Sequence, residues 1–185
     1  MSTKMEELIN RGSHALMHTY NRFPLAMDHG EGMYVWDADG KKYLDFVAGI
    51  AVNSLGYHHP KLSKTIEEQT KKLIHCSNLY DTENQITLAE ALIAHSDFDK
   101  VFFCNSGAEA IETALKLSRK YAVMKGKNGR EIITMEHSFH GRTYGAVTAT
   151  GQDKYHAGLE PLLPSISYVP FNDFGALVAR VNEDT

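Results

Sequence analysis

Cysteine is scarce: Cys76 and Cys104 are the only two among 185 residues. Two thiols are too few for a disulfide framework or a thiolate metal site, so a reducing, cytoplasmic setting is expected. A clustered stripe of Lys and Arg is also missing. The 19 basic residues are spread among 23 acidic ones for a formal charge of -4, which points away from nucleic acid and toward a small-molecule partner. No apolar run is long enough to span a bilayer, so no membrane partner is expected. The stretch from Met1 to Arg22 is polar and broken by charges, unlike a secretory signal. Internal repeats and low-complexity tracts are absent, and 43% hydrophobic with 10% aromatic residues is the composition of a globular chain with an ordinary core.

Leu8, Ile9, Ala15 and Leu16 fall at helical spacing within residues 4–18 and predict one or two short helices broken near Gly12. Met33–Trp36 and Tyr43–Phe46 flank Asp39-Gly40, a hairpin signal. In "GIAVNSLGYHHP", Gly49, Gly56 and Pro60 punctuate a linker, and helical spacing resumes over 61–74 through Leu62, Ile66 and Leu73. From residue 84 helices alternate with short apolar runs. The spacing predicts a helix through Ile86, Leu88, Ala89 and Leu92, a buried strand Val101–Cys104, and a helix through Ile111, Ala114, Leu115, Ser118 and Ala122. Strands Glu131–Met135 and Ile166–Val169 and a helix Gly175–Val181 follow.

That alternation predicts an α/β fold with a mainly parallel sheet covered on both faces, behind a small α+β segment. The expected division is 1–58 as an N-terminal small-domain segment, 59–83 as a connecting helix and linker, and 84–185 as the first part of a larger domain. So few strands predict an incomplete sheet.

Two stretches carry chemistry. In "FFCNSGAEAIETALKLSRK", residues 102–120, Ser106 stands three residues before Glu109, a capping box that starts a helix at Gly107. Capping accounts for Ser106 and Glu109 but not for Gly107-Ala108, because glycine in a first turn weakens a helix unless something approaches the backbone closely. A phosphate would, favoured by the bare N–H groups and the helix dipole. From this stretch alone both readings stand.

The second stretch, "EHSFHGRTYGAVTATG", residues 136–151, follows the Glu131–Met135 strand at the end where open parallel sheets bind ligands. His137, Phe139, His140 and Arg142 crowd around Gly141. No carboxylate or cysteine joins the two histidines at ligand spacing, so no metal is expected. Phe139 as core packing and Arg142 as a surface charge are the ordinary alternatives. Beside a phosphate cradle, an aromatic face and a fixed cation suit an aromatic phosphorylated cofactor and a carboxylate substrate.

These stretches, with "YVWDADGKKYLDFVAGIAVNSLGYHHP", resemble the N-terminal half of class III pyridoxal-phosphate aminotransferases in order and spacing. The resemblance implies a fold-type I PLP-dependent transferase with pyridoxal 5′-phosphate as cofactor. It places Ser106, Gly107 and Ala108 at the phosphate and Phe139 on the pyridine ring. It sets Arg142 on the substrate carboxylate, Tyr20 at the substrate pocket, and Asn53 and Ser54 in the loop joining the domains. A homodimer is implied, moving the terminal amino group of N-acetylornithine to 2-oxoglutarate in arginine biosynthesis. Donors of the ornithine, 4-aminobutyrate or succinylornithine type remain open, as does a non-catalytic half-subunit completed by a second polypeptide. The family's Schiff-base lysine, and the aspartate facing the pyridine nitrogen, lie downstream of the resembling region. No catalytic residue is therefore expected among these 185, and the chain alone is expected to be inactive.

Overall fold

Thr3 opens α1 (Lys4–Ala15) with a full capping box: its hydroxyl accepts the Glu6 N–H, and the Glu6 carboxylate accepts the Thr3 N–H at 3.0 Å. The helix runs through Gly12 instead of breaking there. One interior glycine costs about 1 kcal/mol against alanine, too little to divide a capped helix. The computed structural model describes residues 3–127 and 129–185. They fall into two units, Met1–Glu83 and Asn84–Thr185.

In the first unit, β1 (Met27–Glu31), β2 (Tyr34–Asp37) and β3 (Lys42–Leu44) form an antiparallel sheet in that order. The expected hairpin is β2–β3, with Tyr34 opposite Leu44 and Trp36 opposite Lys42. The strand β1, "MDHGE", has no alternation to announce it and is held by pairing with β2. Buried Asp37 ties the hairpin turn: Oδ1 accepts the Asp39 and Lys41 N–H groups and Oδ2 accepts the Tyr43 hydroxyl at 2.7 Å.

Asp45 does the same for the next segment, accepting the Tyr57 hydroxyl at 2.7 Å and the N–H groups of Val47 and Ala48. Between them lies α2 (Ala48–Ala51), a single turn in which all four residues have positive φ. The expected linker is thus an ordered left-handed turn, at a cost of about 1–2 kcal/mol for each non-glycine residue. Pro60 occupies the first turn of α3 (Pro60–Thr70). This helix stops short of the expected residue 74, because the Lys72 and Leu73 N–H groups both turn onto the Gln69 carbonyl.

The second unit contains α4 (Glu83–Ala94) but for its first residue, α5 (Gly107–Met124), β4 (Ile132–Met135), α6 (Tyr144–Ala149), β5 (Ile166–Val169) and α7 (Phe174–Arg180). Strands β4 and β5 pair in parallel, Ile132 opposite Ile166 and Met135 opposite Val169. Val101–Cys104 departs from expectation: it joins no ladder among the described residues, and Phe102 is 64% exposed. Apolar composition suits a buried strand, but a strand exists only with a partner for its N–H and C=O groups. The helix α6, absent from the sequence reading, is the centre of the unit; Gly145 to Ala149 are all buried. Its threonines are satisfied locally, the Thr148 hydroxyl on the Tyr144 carbonyl at 2.8 Å and the Thr150 hydroxyl on the Ala146 carbonyl at 3.0 Å. No helix among the described residues is long and apolar enough to cross a membrane.

Candidate functional site

Ser106 caps α5, accepting the Glu109 N–H at 3.2 Å from an extended backbone, so the helix starts at Gly107 as its spacing predicts. The return half of the expected capping box is displaced by one residue. The Glu109 carboxylate accepts the N–H of Asn105, not of Ser106, at 2.5 Å, and the Asn105 side-chain amide at 3.3 Å. The N–H groups of Gly107 and Ala108 belong to the first turn, where a helix offers no internal acceptor. A Cβ added at Gly107 would meet nothing within 4 Å, and its backbone is helical. Neither packing within the chain nor a left-handed φ therefore requires glycine there. Close approach of an anion to the backbone does give glycine a reason.

Beyond Met135 the chain turns at His137, whose φ is +62°. The loop that follows is fastened along its length. The His137 N–H donates to the Gly151 carbonyl at 2.6 Å and the His140 N–H to the Thr150 hydroxyl at 2.9 Å. Gly151 N–H donates to the Ser138 hydroxyl at 3.2 Å, and the Gln152 amide to the Ser138 carbonyl at 2.8 Å. Gly141 then brings this loop onto α5. A Cβ at Gly141 would stand 2.8 Å from the Ala108 Cβ and 3.0 Å from the Ala146 Cβ.

Two side chains flanking Gly141 meet a third aromatic ring. Phe139 is 56% exposed and meets Tyr155 edge-on, ring centroids 6.2 Å apart. The Arg142 guanidinium lies 5.9 Å from the Phe139 ring centroid and 5.4 Å from that of Tyr155. The Phe139 ring is thus more than half exposed, and the guanidinium stands within cation–π range of two aromatic rings. Tyr155 had no sequence signal beyond being aromatic, since a short 3-10 turn (Asp153–Tyr155) delivers it.

Glu112 was also missed. Its Oε1 accepts the Thr143 hydroxyl at 2.6 Å and the N–H groups of Gly145 at 2.9 Å and Ala146 at 3.1 Å. These bonds, the Thr143 hydroxyl foremost, hold the Glu112 carboxyl below its ordinary range. Nothing in local spacing links residues more than thirty positions apart.

Ser106, Gly107, Ala108, Phe139 and Arg142 all lie in the unit Asn84–Thr185, where Gly141, in the loop that carries Phe139 and Arg142, packs on Ala108. Tyr20, 61% exposed between α1 and β1, and Asn53 and Ser54 after α2 belong to the unit Met1–Glu83.

Residues 15–184 match the family described as aminotransferase class-III. The acetylornithine aminotransferase of Caldanaerobacter subterraneus subsp. tengcongensis is 58% identical over 170 residues, which are 91% of this chain and 43% of that protein. That of Clostridium acetobutylicum is 51% identical over 171 residues, 92% of this chain and 44% of that protein. Among solved structures, the ornithine aminotransferase of Toxoplasma gondii ME49 superposes with a TM-score of 0.89 at 26% identity, covering 95% of this chain and 42% of that one. The fold is therefore that of the fold-type I aminotransferases, represented here by an α/β portion with a parallel strand pair. The chain spans less than half the length of these relatives. With the family's match running from residue 15 to 184, through both the glycine turn and the loop seated on it, this chain belongs to the class III aminotransferases.

Proposed function

We propose that these residues form part of a pyridoxal-phosphate-dependent aminotransferase that moves the terminal amino group of N-acetylornithine to 2-oxoglutarate, a step of arginine biosynthesis. The observation that carries this reading is the seating of Gly141 on Ala108, which brings the loop that carries Phe139 and Arg142 onto the first turn of α5. The residues fit the cofactor. Ser106 and the N–H groups of Gly107 and Ala108 hold a phosphate, with room over Gly107 for it to approach. Phe139 offers an exposed ring face to the pyridine. Bound pyridoxal phosphate supplies the electron sink that amino-group exchange requires.

Arg142 offers its planar fork to a substrate carboxylate, and the two rings beneath it limit the directions the fork can take. The family resemblance alone assigns Tyr20 to substrate binding. Relatives at 51–58% identity named acetylornithine aminotransferases favour N-acetylornithine as the donor over ornithine, named for a neighbour at 26%. In this reading 1–58 is small-domain, 59–83 connects, and 84–185 belongs to the cofactor-binding large domain. The protein works as a homodimer, on the strength of the family resemblance, and in the cytoplasm, in keeping with its two free thiols.

Two measurements test the proposal. Glutamate formation by the complete cofactor-loaded enzyme that contains these residues, with N-acetylornithine, ornithine and 4-aminobutyrate compared as donors, should give the highest kcat/KM for N-acetylornithine. A higher value for ornithine reassigns the donor, and no turnover with any donor overturns the activity. Pyridoxal 5′-phosphate should bind at least about tenfold tighter than pyridoxal, the worth of one charge-assisted hydrogen bond or more. Equal binding would remove the phosphate from the Gly107 turn.

A further inference from the structure

Helix α6 begins in an unusual way. Its N-cap residue, Thr143, makes no side-chain bond to its own helix; the hydroxyl instead donates to Glu112 Oε1 at 2.6 Å. That same oxygen takes the N–H groups of Gly145 and Ala146, the donors that a capping side chain would ordinarily satisfy. Since Gly145 to Ala149 are all buried, water cannot replace this acceptor, and a carboxylate is the charge that a helix N-terminus favours. The cap comes from another helix, α5, whose first residue is Gly107. Gly145 is shaped for it: a Cβ there would lie 2.6 Å from Glu112 Oε2.

Resting on the functional reading above, we infer that Glu112 is a positioning residue of the active site. It joins the helix whose first turn holds the phosphate to the end of the loop that carries Phe139 and Arg142. Gly141 on Ala108 makes one contact between loop and helix, and Glu112 on Thr143, Gly145 and Ala146 makes the second, so that Arg142 lies between two fixed points. With the first contact alone the loop can pivot about Gly141. With both, the direction of the Arg142 fork is set relative to the α5 terminus. Glu112 touches neither substrate nor cofactor in this account and acts through Arg142.

The test uses the complete enzyme that contains this chain, with Glu112→Ala, Glu112→Gln and, as a milder change, Thr143→Val. Amide hydrogen exchange in the absence of cofactor and substrate should quicken at least about tenfold at Gly145 and Ala146 in Glu112→Ala, the loss of a charge-assisted bond. Exchange at Leu115, on the buried face of α5, should stay unchanged. In the holoenzyme, KM for N-acetylornithine should rise about ten- to a hundredfold, as misplacement of a substrate-holding group does, while pyridoxal 5′-phosphate affinity changes less than threefold. Glu112→Gln keeps one carbonyl oxygen for the two N–H groups and should recover most of the KM, and Thr143→Val should fall between. Slowed turnover or lower thermal stability with exchange and KM unchanged would overturn the proposal, leaving Glu112 a plain structural cap. If the complete wild-type enzyme shows no transamination, the functional reading fails by itself, and the exchange pattern across 139–146 still decides whether Glu112 holds the loop.

Discussion

Gly141 packs on Ala108 so closely that no side chain fits between them: an added Cβ would stand 2.8 Å from the Ala108 Cβ. The two residues belong to different motifs, one at the start of α5 and one in the loop after β4. Their contact brings the aromatic-basic loop onto the glycine turn.

Gly141→Ala should therefore be destabilising on two counts, contact with Ala108 and Ala146 and a backbone φ of +138°. A loss of about 1–3 kcal/mol is expected from urea unfolding, the range for a non-glycine residue forced into such a conformation. An unchanged unfolding midpoint would mean that the loop does not press on α5.

Arg142→Lys should raise KM for the amino donor about tenfold and leave cofactor affinity nearly unchanged. Lysine keeps the charge but replaces a planar fork by a point charge on a flexible stem. Steady-state kinetics and a cofactor titration on the same variant separate the outcomes. Wild-type kinetics, or a loss confined to cofactor binding, would take Arg142 away from the substrate.

Replacement of Phe139 by alanine should weaken cofactor retention by about 1–3 kcal/mol, through lost ring contact and buried area. Dialysis followed by absorbance of the retained cofactor reads this directly. Because the ring is 56% exposed, the variant's unfolding midpoint should move little, and a large drop in stability with full retention would assign Phe139 to packing.

Acid should loosen both units through identifiable carboxylates. The carboxyls of Asp37, Asp45 and Glu112 are all held below their ordinary range, chiefly by the hydroxyls of Tyr43, Tyr57 and Thr143 respectively. A carboxyl depressed in the folded state adds stability at any pH above its unfolded value, and that contribution disappears as pH falls through the folded one. Stability should hold level near neutrality and decline between about pH 5 and pH 2. Asp37→Asn should make this decline shallower in urea titrations across that range. An equally steep acid limb would mean that the Asp37–Tyr43 pair does not contribute.

Features decided by near neighbours were legible from the sequence. Ser106 caps its helix by accepting an N–H three residues on, so the start of α5 at Gly107 could be read directly. Asp39-Gly40 specifies a turn, so β2–β3 could be read as well. Apolar runs marked β4 and β5 within a residue. Where the same local signals met a competing demand they misled. Gly12 did not break a capped helix, and apolar Val101–Cys104 formed no ladder.

The candidate site divides the same way. Gly107 and Arg142 stood out because their types are unusual for their surroundings, while Glu112 reads as one more charge on an amphipathic helix and Tyr155 as one more aromatic. Their importance comes from contacts across 31 residues in one case and 13 in the other: Glu112 beneath Thr143, Tyr155 beneath Arg142. Helix and turn propensities act over three or four residues, within reach of a sequence pattern. Close approach of two backbones, as at Gly141 and Ala108, and a cap lent by one helix to another exist only once the chain has packed, because burial first removes the water that would otherwise satisfy the same groups.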